Sequence, residues 1–196
     1  MNESLQEILN KLWITPENAE WVPKTDVVLF SDIQRWMASN DIEILGFTHG
    51  LLHDRRFRIE PPISLDEYIR FTKQYYERCL LENPDGDWSS SRYTAGGELV
   101  NLFASLWRDS AVPRSVLEEL KEWIGRMYKK SDSEIRTCIV QATLEHLFEQ
   151  EPIRELFSDW LNDPVLAEAH REASEWYKGG GSTPLGKPPF DSDDQG

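Results

Sequence analysis

His49 and His53 stand four residues apart, with Asp54 beside the second. On a helix that spacing turns both imidazoles to one side and offers a divalent ion two nitrogen ligands and a nearby oxygen. A zinc or di-metal centre needs a third and fourth ligand, and the chain contains neither HExxH nor ExxH to supply them. The pair therefore reads as structural or surface, and a metal-dependent hydrolase built from His49, His53, Asp54 and distant carboxylates is the enzymatic alternative. His146 and His170, set near Glu145, Glu168 and Glu172, read as solvated or lightly paired, because so acidic a segment puts carboxylates beside any histidine.

The other chemistries have less to stand on. Gly96-Gly97 and the run Gly179 to Gly181 lack the GK[ST] ending of a phosphate-binding loop, and Lys187 is followed by Pro188. No GxSxG is present, Ser31, Ser64 and Ser131 stand where helix caps belong, and neither Cys79 nor Cys138 has a histidine close in sequence. The expectation is no catalytic residue, no cofactor and no metal.

The elements that would position any site are helical throughout. Leu5, Ile8, Leu9, Leu12 and Trp13 recur at helical spacing before Pro16, and an irregular connection follows through Trp21 and Pro23. Val27 to Phe30 fits a strand or the approach to a helix, and Ser31-Asp32 as an N-cap favours a helix carrying Ile33, Trp36 and Met37. Ile42, Leu45, Leu51 and Leu52 predict a further helix, loosened by Gly46 and Gly50. Ser64 with Glu67 forms a capping box ahead of Leu65, Tyr68, Ile69, Tyr75, Tyr76, Cys79 and Leu80, and Asn83-Pro84 ends that helix.

After a polar loop from Asp85 to Ser91, Leu99, Leu102, Phe103, Leu106 and Trp107 mark a helix, and Pro113 opens the next. That one buries Val116, Leu120, Trp123, Ile124 and Met127 and leaves Lys121, Arg126, Lys129 and Lys130 outside. Ser131 with Glu134 caps a helix whose Ile135, Cys138, Ile139, Val140, Ala142, Leu144 and Leu147 cover more than one face, so it should be central. Helices beginning at Pro152 and at Pro164, the latter capped by Asp163, complete an all-α fold. We expect a helical bundle or a short α-helical-repeat-like stack of about 7–9 helices in one domain over residues 1–178, followed by an irregular or disordered acidic tail over 179–196.

Composition narrows the class of partner. The chain has 196 residues, 39% hydrophobic and 29% charged, and eight tryptophans, enough apolar payload to fold without disulfides. Two cysteines at interior helix positions fit a reducing compartment, and neither a signal peptide nor a membrane span is legible, so the expected localisation is cytoplasmic. The net charge of −14 argues against nucleic acid and anionic membrane and favours a basic protein partner. Residues 131–196 carry −9 of that charge and residues 1–130 carry −5.

Glu155, Asp159 and Asp163 follow one another at intervals of four, opposite Phe157 and Trp160, and Glu168, Glu172 and Glu175 repeat the arrangement further on. On neighbouring helices these rows would make one negative patch able to steer a basic partner, although solvated helix faces are often this acidic. The loop region Asp85, Asp87, Trp88, Arg92 and Tyr93 is the second candidate contact surface, since interfaces favour Trp, Tyr and Arg as anchors.

The stretch Trp88 to Asn101 (WSSSRYTAGGELVN), the run Thr137 to Glu149 (TCIVQATLEHLFE), and Phe157 to Trp160 before Asp163-Pro164 resemble a family of small helical bacterial proteins. The resemblance covers about residues 64–178. Several such proteins neighbour polymorphic toxins, which implies an immunity protein that binds and neutralises one cognate toxin domain. The alternative from another class is a helical scaffold or regulatory module with a concave groove and several partners.

Overall fold

The structure, a computed structural model, describes residues 3–12 and 27–178. The expected acidic tail, Trp13, and the connection through Trp21 and Pro23 lie outside the described residues. Helices make up 75% of the described residues, with one two-stranded parallel sheet, so the fold is all-α. Where the sequence reading expects one domain, the chain divides between Ala95 and Gly96 into two compact units.

The first unit holds α1 (Leu5–Leu12), β1 (Val27–Leu29), α2 (Phe30–Met37), α3 (Ile42–His53), β2 (Arg58–Glu60) and α4 (Leu65–Glu82). Ile8 and Leu12 are the buried residues of α1. Val27–Leu29 is strand, pairing Val27 with Arg58 and Leu29 with Glu60. Helix α2 starts at Phe30 behind an extended Leu29, so neither Ser31 nor Asp32 is its N-cap. Consecutive β-branched valines favour the extended backbone there.

Helix α3 is the centre of this unit. Every residue from Ile44 to His49 is buried, although Gly46 and Gly50 lower its intrinsic propensity. Asp41 caps it by accepting from the Glu43 amide at 2.9 Å. The Ser64–Glu67 capping box forms in both directions, with the Glu67 amide on Ser64 Oγ at 3.3 Å and Ser64 Oγ donating to the Glu67 carboxylate at 2.7 Å. At the far end of α4, Asn83 takes a left-handed φ of 46° and terminates the helix before Pro84.

The second unit holds most of α5 (Arg92–Arg108), then α6 (Arg114–Lys130), α7 (Ser133–Ile139), a π-helical turn (Val140–Leu144), α8 (Glu145–Phe148), α9 (Glu151–Leu156), a 3-10 segment (Ser158–Asn162) and α10 (Pro164–Lys178). From Ile135 to Phe148 ten of the fourteen residues are buried, as expected of the central helix. Its cap is Asp132, which accepts from the Ile135 amide at 3.0 Å, whereas Ser131 Oγ turns back to the Met127 carbonyl at 2.7 Å. The expected cap was one residue out. Asp163 does cap α10, accepting from the Val165 and Leu166 amides.

Gly96 and Gly97 belong to the first turns of α5. A Cβ on Gly96 would lie 2.6 Å from the Ala142 Cβ, while one on Gly97 would meet nothing within 4 Å. Gly96 is thus the point where α5 closes onto the π turn, with Thr143 Oγ1 donating to its carbonyl at 3.1 Å. The same substitution should act with opposite sign at the two sites. Gly97→Ala should raise stability by ~0.5–1 kcal/mol through helix propensity, and Gly96→Ala should lower it by ~1–3 kcal/mol through overpacking. Urea denaturation of both variants checks this, and equal effects would contradict it.

Candidate protein-binding surfaces

In the first unit the Trp88 loop is held by one carboxylate. Glu43 sits one residue inside α3 and accepts from the Trp88 amide at 2.9 Å, the Ser89 amide at 3.2 Å and the Ser89 hydroxyl. Burial alone would raise its pKa, but the donors from Ser89, Trp88 and Asp87 outweigh it and hold the carboxyl below its ordinary value. A Cβ at Gly46 would stand 2.3 Å from the Trp88 carbonyl oxygen, so glycine is what lets the loop backbone lie on the helix. Tyr75 secures the next residue, its hydroxyl accepting from the Ser90 amide at 2.8 Å.

So fixed, Trp88 packs edge-on against Phe47 at 5.1 Å. Together with Gly50, Leu51, Asp54, Arg56 and Phe57 these two rings line an open cleft of about 440 Å³. Asp54 does not turn toward the histidines. Its carboxylate meets the Arg56 guanidinium at 2.6–3.0 Å. Of the other loop candidates, Asp85 and Asp87 are exposed, and Tyr93 is 54% exposed in the first turn of α5. Arg92 corrects the sequence reading: it is buried and its Nε donates to the Leu80 carbonyl at 2.6 Å, so it ties α5 to α4 instead of facing a partner.

The histidine pair does share one side of α3, with ring centroids 4.7 Å apart. Each Nε2 meets a tyrosine hydroxyl of α4: His49 with Tyr76 at 3.2 Å and His53 with Tyr68 at 3.0 Å. Burial, and secondarily the charge of His53, push the His49 pKa down to about 3. Among the described residues no group of three or more His, Cys, Asp or Glu could hold a metal ion. Cys79 and Cys138 are both fully buried and form no disulfide, as core hydrophobes do.

In the second unit the first acidic row breaks up. Glu155 lies on α9, Asp159 in the 3-10 segment and Asp163 at the α10 cap, so the interval of four does not align them on one helix. Asp159 pairs with Lys121 at 2.8 Å and Asp163 pairs with Lys129. Lys121, expected outside, is buried and is also held by Glu118 and the Leu156 carbonyl. A buried ammonium needs several acceptors, and those acidic residues supply them.

The second row behaves as expected of a surface. Glu168, Glu172 and Glu175 are exposed on one face of α10, and none makes an ion pair with a described residue. Leu161 and Val165, 52% and 38% exposed, stand at the helix entrance. The sequence reading passed over Glu145, which is only 7% exposed and lines a small cleft with Glu172 and Glu175. A carboxylate inside a largely apolar run was the available signal. His146 is lightly paired, with Glu149 at 3.2 Å, but His170 is buried against Phe148 and is not solvated.

Compared with known proteins, the chain matches no protein family, no curated sequence and no solved structure. No described helix is long and apolar enough to cross a membrane.

Two outcomes follow from these contacts. Glu43→Ala should strand the Trp88 and Ser89 amides and cost ~1–3 kcal/mol, with faster hydrogen exchange at both amides by NMR. Because the folded pKa of His49 lies below its unfolded value near 6.5, stability is full above that pH and is lost as pH falls toward 3. Thermal melts from pH 7 to pH 4 should show His49→Gln flattening this loss, by at most ~1.4 kcal/mol per pH unit for one proton.

Proposed function

We propose that this chain is a non-catalytic protein-binding protein and that the exposed carboxylates of α10 receive a basic partner. The observation that carries the reading is a contrast within one unit. Asp159 and Asp163 are neutralised by lysines of α6, whereas Glu168, Glu172 and Glu175 share a helix face and pair with no described cation. A row of solvated like charges raises the on-rate and selects the sign of the partner. Leu161 and Val165 offer apolar contact beside it.

We further infer that the partner is a bacterial toxin domain and that the chain acts as its immunity protein in the cytoplasm. The motifs Trp88–Asn101 and Thr137–Glu149 support this through their family resemblance, and two buried cysteines that form no disulfide suit a reducing compartment. A toxin acting on nucleic acid or nucleotides carries a basic cleft, which an acidic helix face complements.

Tagged chain recovered from its producing cells should carry one stoichiometric basic partner, identified by mass spectrometry and neutralised by the purified chain. Reversing Glu168, Glu172 and Glu175 to lysine should weaken binding roughly tenfold or more and flatten its salt dependence, with the fold intact by circular dichroism. Absence of such a partner, or binding indifferent to salt and to the reversal, would sink the reading.

A further inference from the structure

We propose that the cleft between the π-helical turn and α10 is a socket for one cationic side chain, lysine or arginine, presented by the basic partner. The inference rests on the partner-binding reading and adds the point of recognition to it.

The cleft encloses about 210 Å³ and is lined by Thr137, Val140, Gln141, Glu145, Glu172 and Glu175. Small-molecule and cofactor sites occupy ~300–1,000 Å³, so this volume suits a single side chain. The decisive group is Glu145. It is only 7% exposed and lines the cleft, yet its carboxylate makes no hydrogen bond or ion pair with a described residue. Its carboxyl oxygens keep contact with the cleft, and partial desolvation without a partner disfavours the charged form.

Glu145 is also placed deliberately by the backbone. Its own amide reaches back to the Val140 carbonyl and closes the i to i−5 turn. Such turns concentrate at functional sites, where they re-aim one side chain without breaking the helix. Burial raises the Glu145 pKa, the charge of His146 offsets part of this, and the neighbouring Glu172 adds to the rise. A cation arriving between them relieves both effects at once.

The chemistry of the ligand follows from the spread of the acceptors. No three carboxyl or imidazole groups converge here as metal ligands among the described residues. Guanidinium and ammonium instead distribute several donors over a larger volume. The buried Val140 forms the apolar wall along which an aliphatic stem would lie.

The test uses the full chain, labelled for NMR and titrated with N-acetyl-arginine amide, N-acetyl-lysine amide and the neutral citrulline analogue. Both cations should shift residues 137–145 and 172–175, the neutral probe should not, and Glu145→Gln should weaken the response roughly tenfold or more. Glu172→Gln should weaken it too, as a second route to the same answer. Glu145→Gln should melt no lower than the parent, because a desolvated charge has been removed. Loss of stability in Glu145→Gln, equal shifts in that variant, or the same shifts produced by magnesium or calcium at lower concentration would overturn the socket. The two readings fail separately. Cationic probes binding in a chain that captures no basic partner would leave the socket and remove the partner-binding reading. A partner lost on reversal of Glu168 but indifferent to Glu145→Gln would do the opposite.

Discussion

A charge taken out of water must be given acceptors or donors of its own, and that requirement places the irregular segments of this protein. Lys121 is buried on α6 and draws Asp159 and the Leu156 carbonyl toward it, which fixes where α9 stops and how the 3-10 segment runs. Lys129, two turns on, takes Asp163, so the residue that caps α10 is also anchored by charge. Glu43 does the converse in the first unit, where a carboxylate gathers the amides of a loop that has no regular structure to satisfy them.

Local signals in the sequence identified most of the helices. The Ser64–Glu67 box, the Asp163 cap and the Asn83 stop are each readable from a few adjacent residues, and each is present with the expected geometry. The errors came where distance in sequence intervenes. Val27 and Arg58 pair across thirty residues, so the strand at Val27–Leu29 depends on a partner that no window around it contains. The shift of the α7 cap from Ser131 to Asp132 is an ordinary competition between neighbouring hydroxyl and carboxylate, decided by Ser131 Oγ finding the Met127 carbonyl.

The candidate surfaces were legible only in part, for a related reason. Spacing placed Glu168, Glu172 and Glu175 together because one continuous helix carries them. The same inference failed for Glu155, Asp159 and Asp163 because the helix ends at Leu156 and, after Phe157, Ser158–Asn162 winds as a tighter coil. Whether a carboxylate is a surface charge or an internal counter-ion depends on the lysine it meets, and Lys121 and Lys129 are more than thirty residues away in sequence. Arg92 and His170 show the same limit from the other side, being polar residues whose burial is set by tertiary neighbours.

The π turn at Val140–Leu144 has an evolutionary reading as well as a chemical one. It is one residue more than an α-helical repeat needs, carried in the middle of the central helix of its unit. Removing that residue would rotate everything beyond it by roughly 100° about the helix axis. Glu145 would exchange its cleft for another face while the apolar run on either side stayed helical. Substitutions at the lining residues would then adjust the cleft by degrees, but a one-residue insertion or deletion would create or abolish it in a single step. Divergence between related chains at this point should therefore be sought in their length through the helix before it is sought in their side chains.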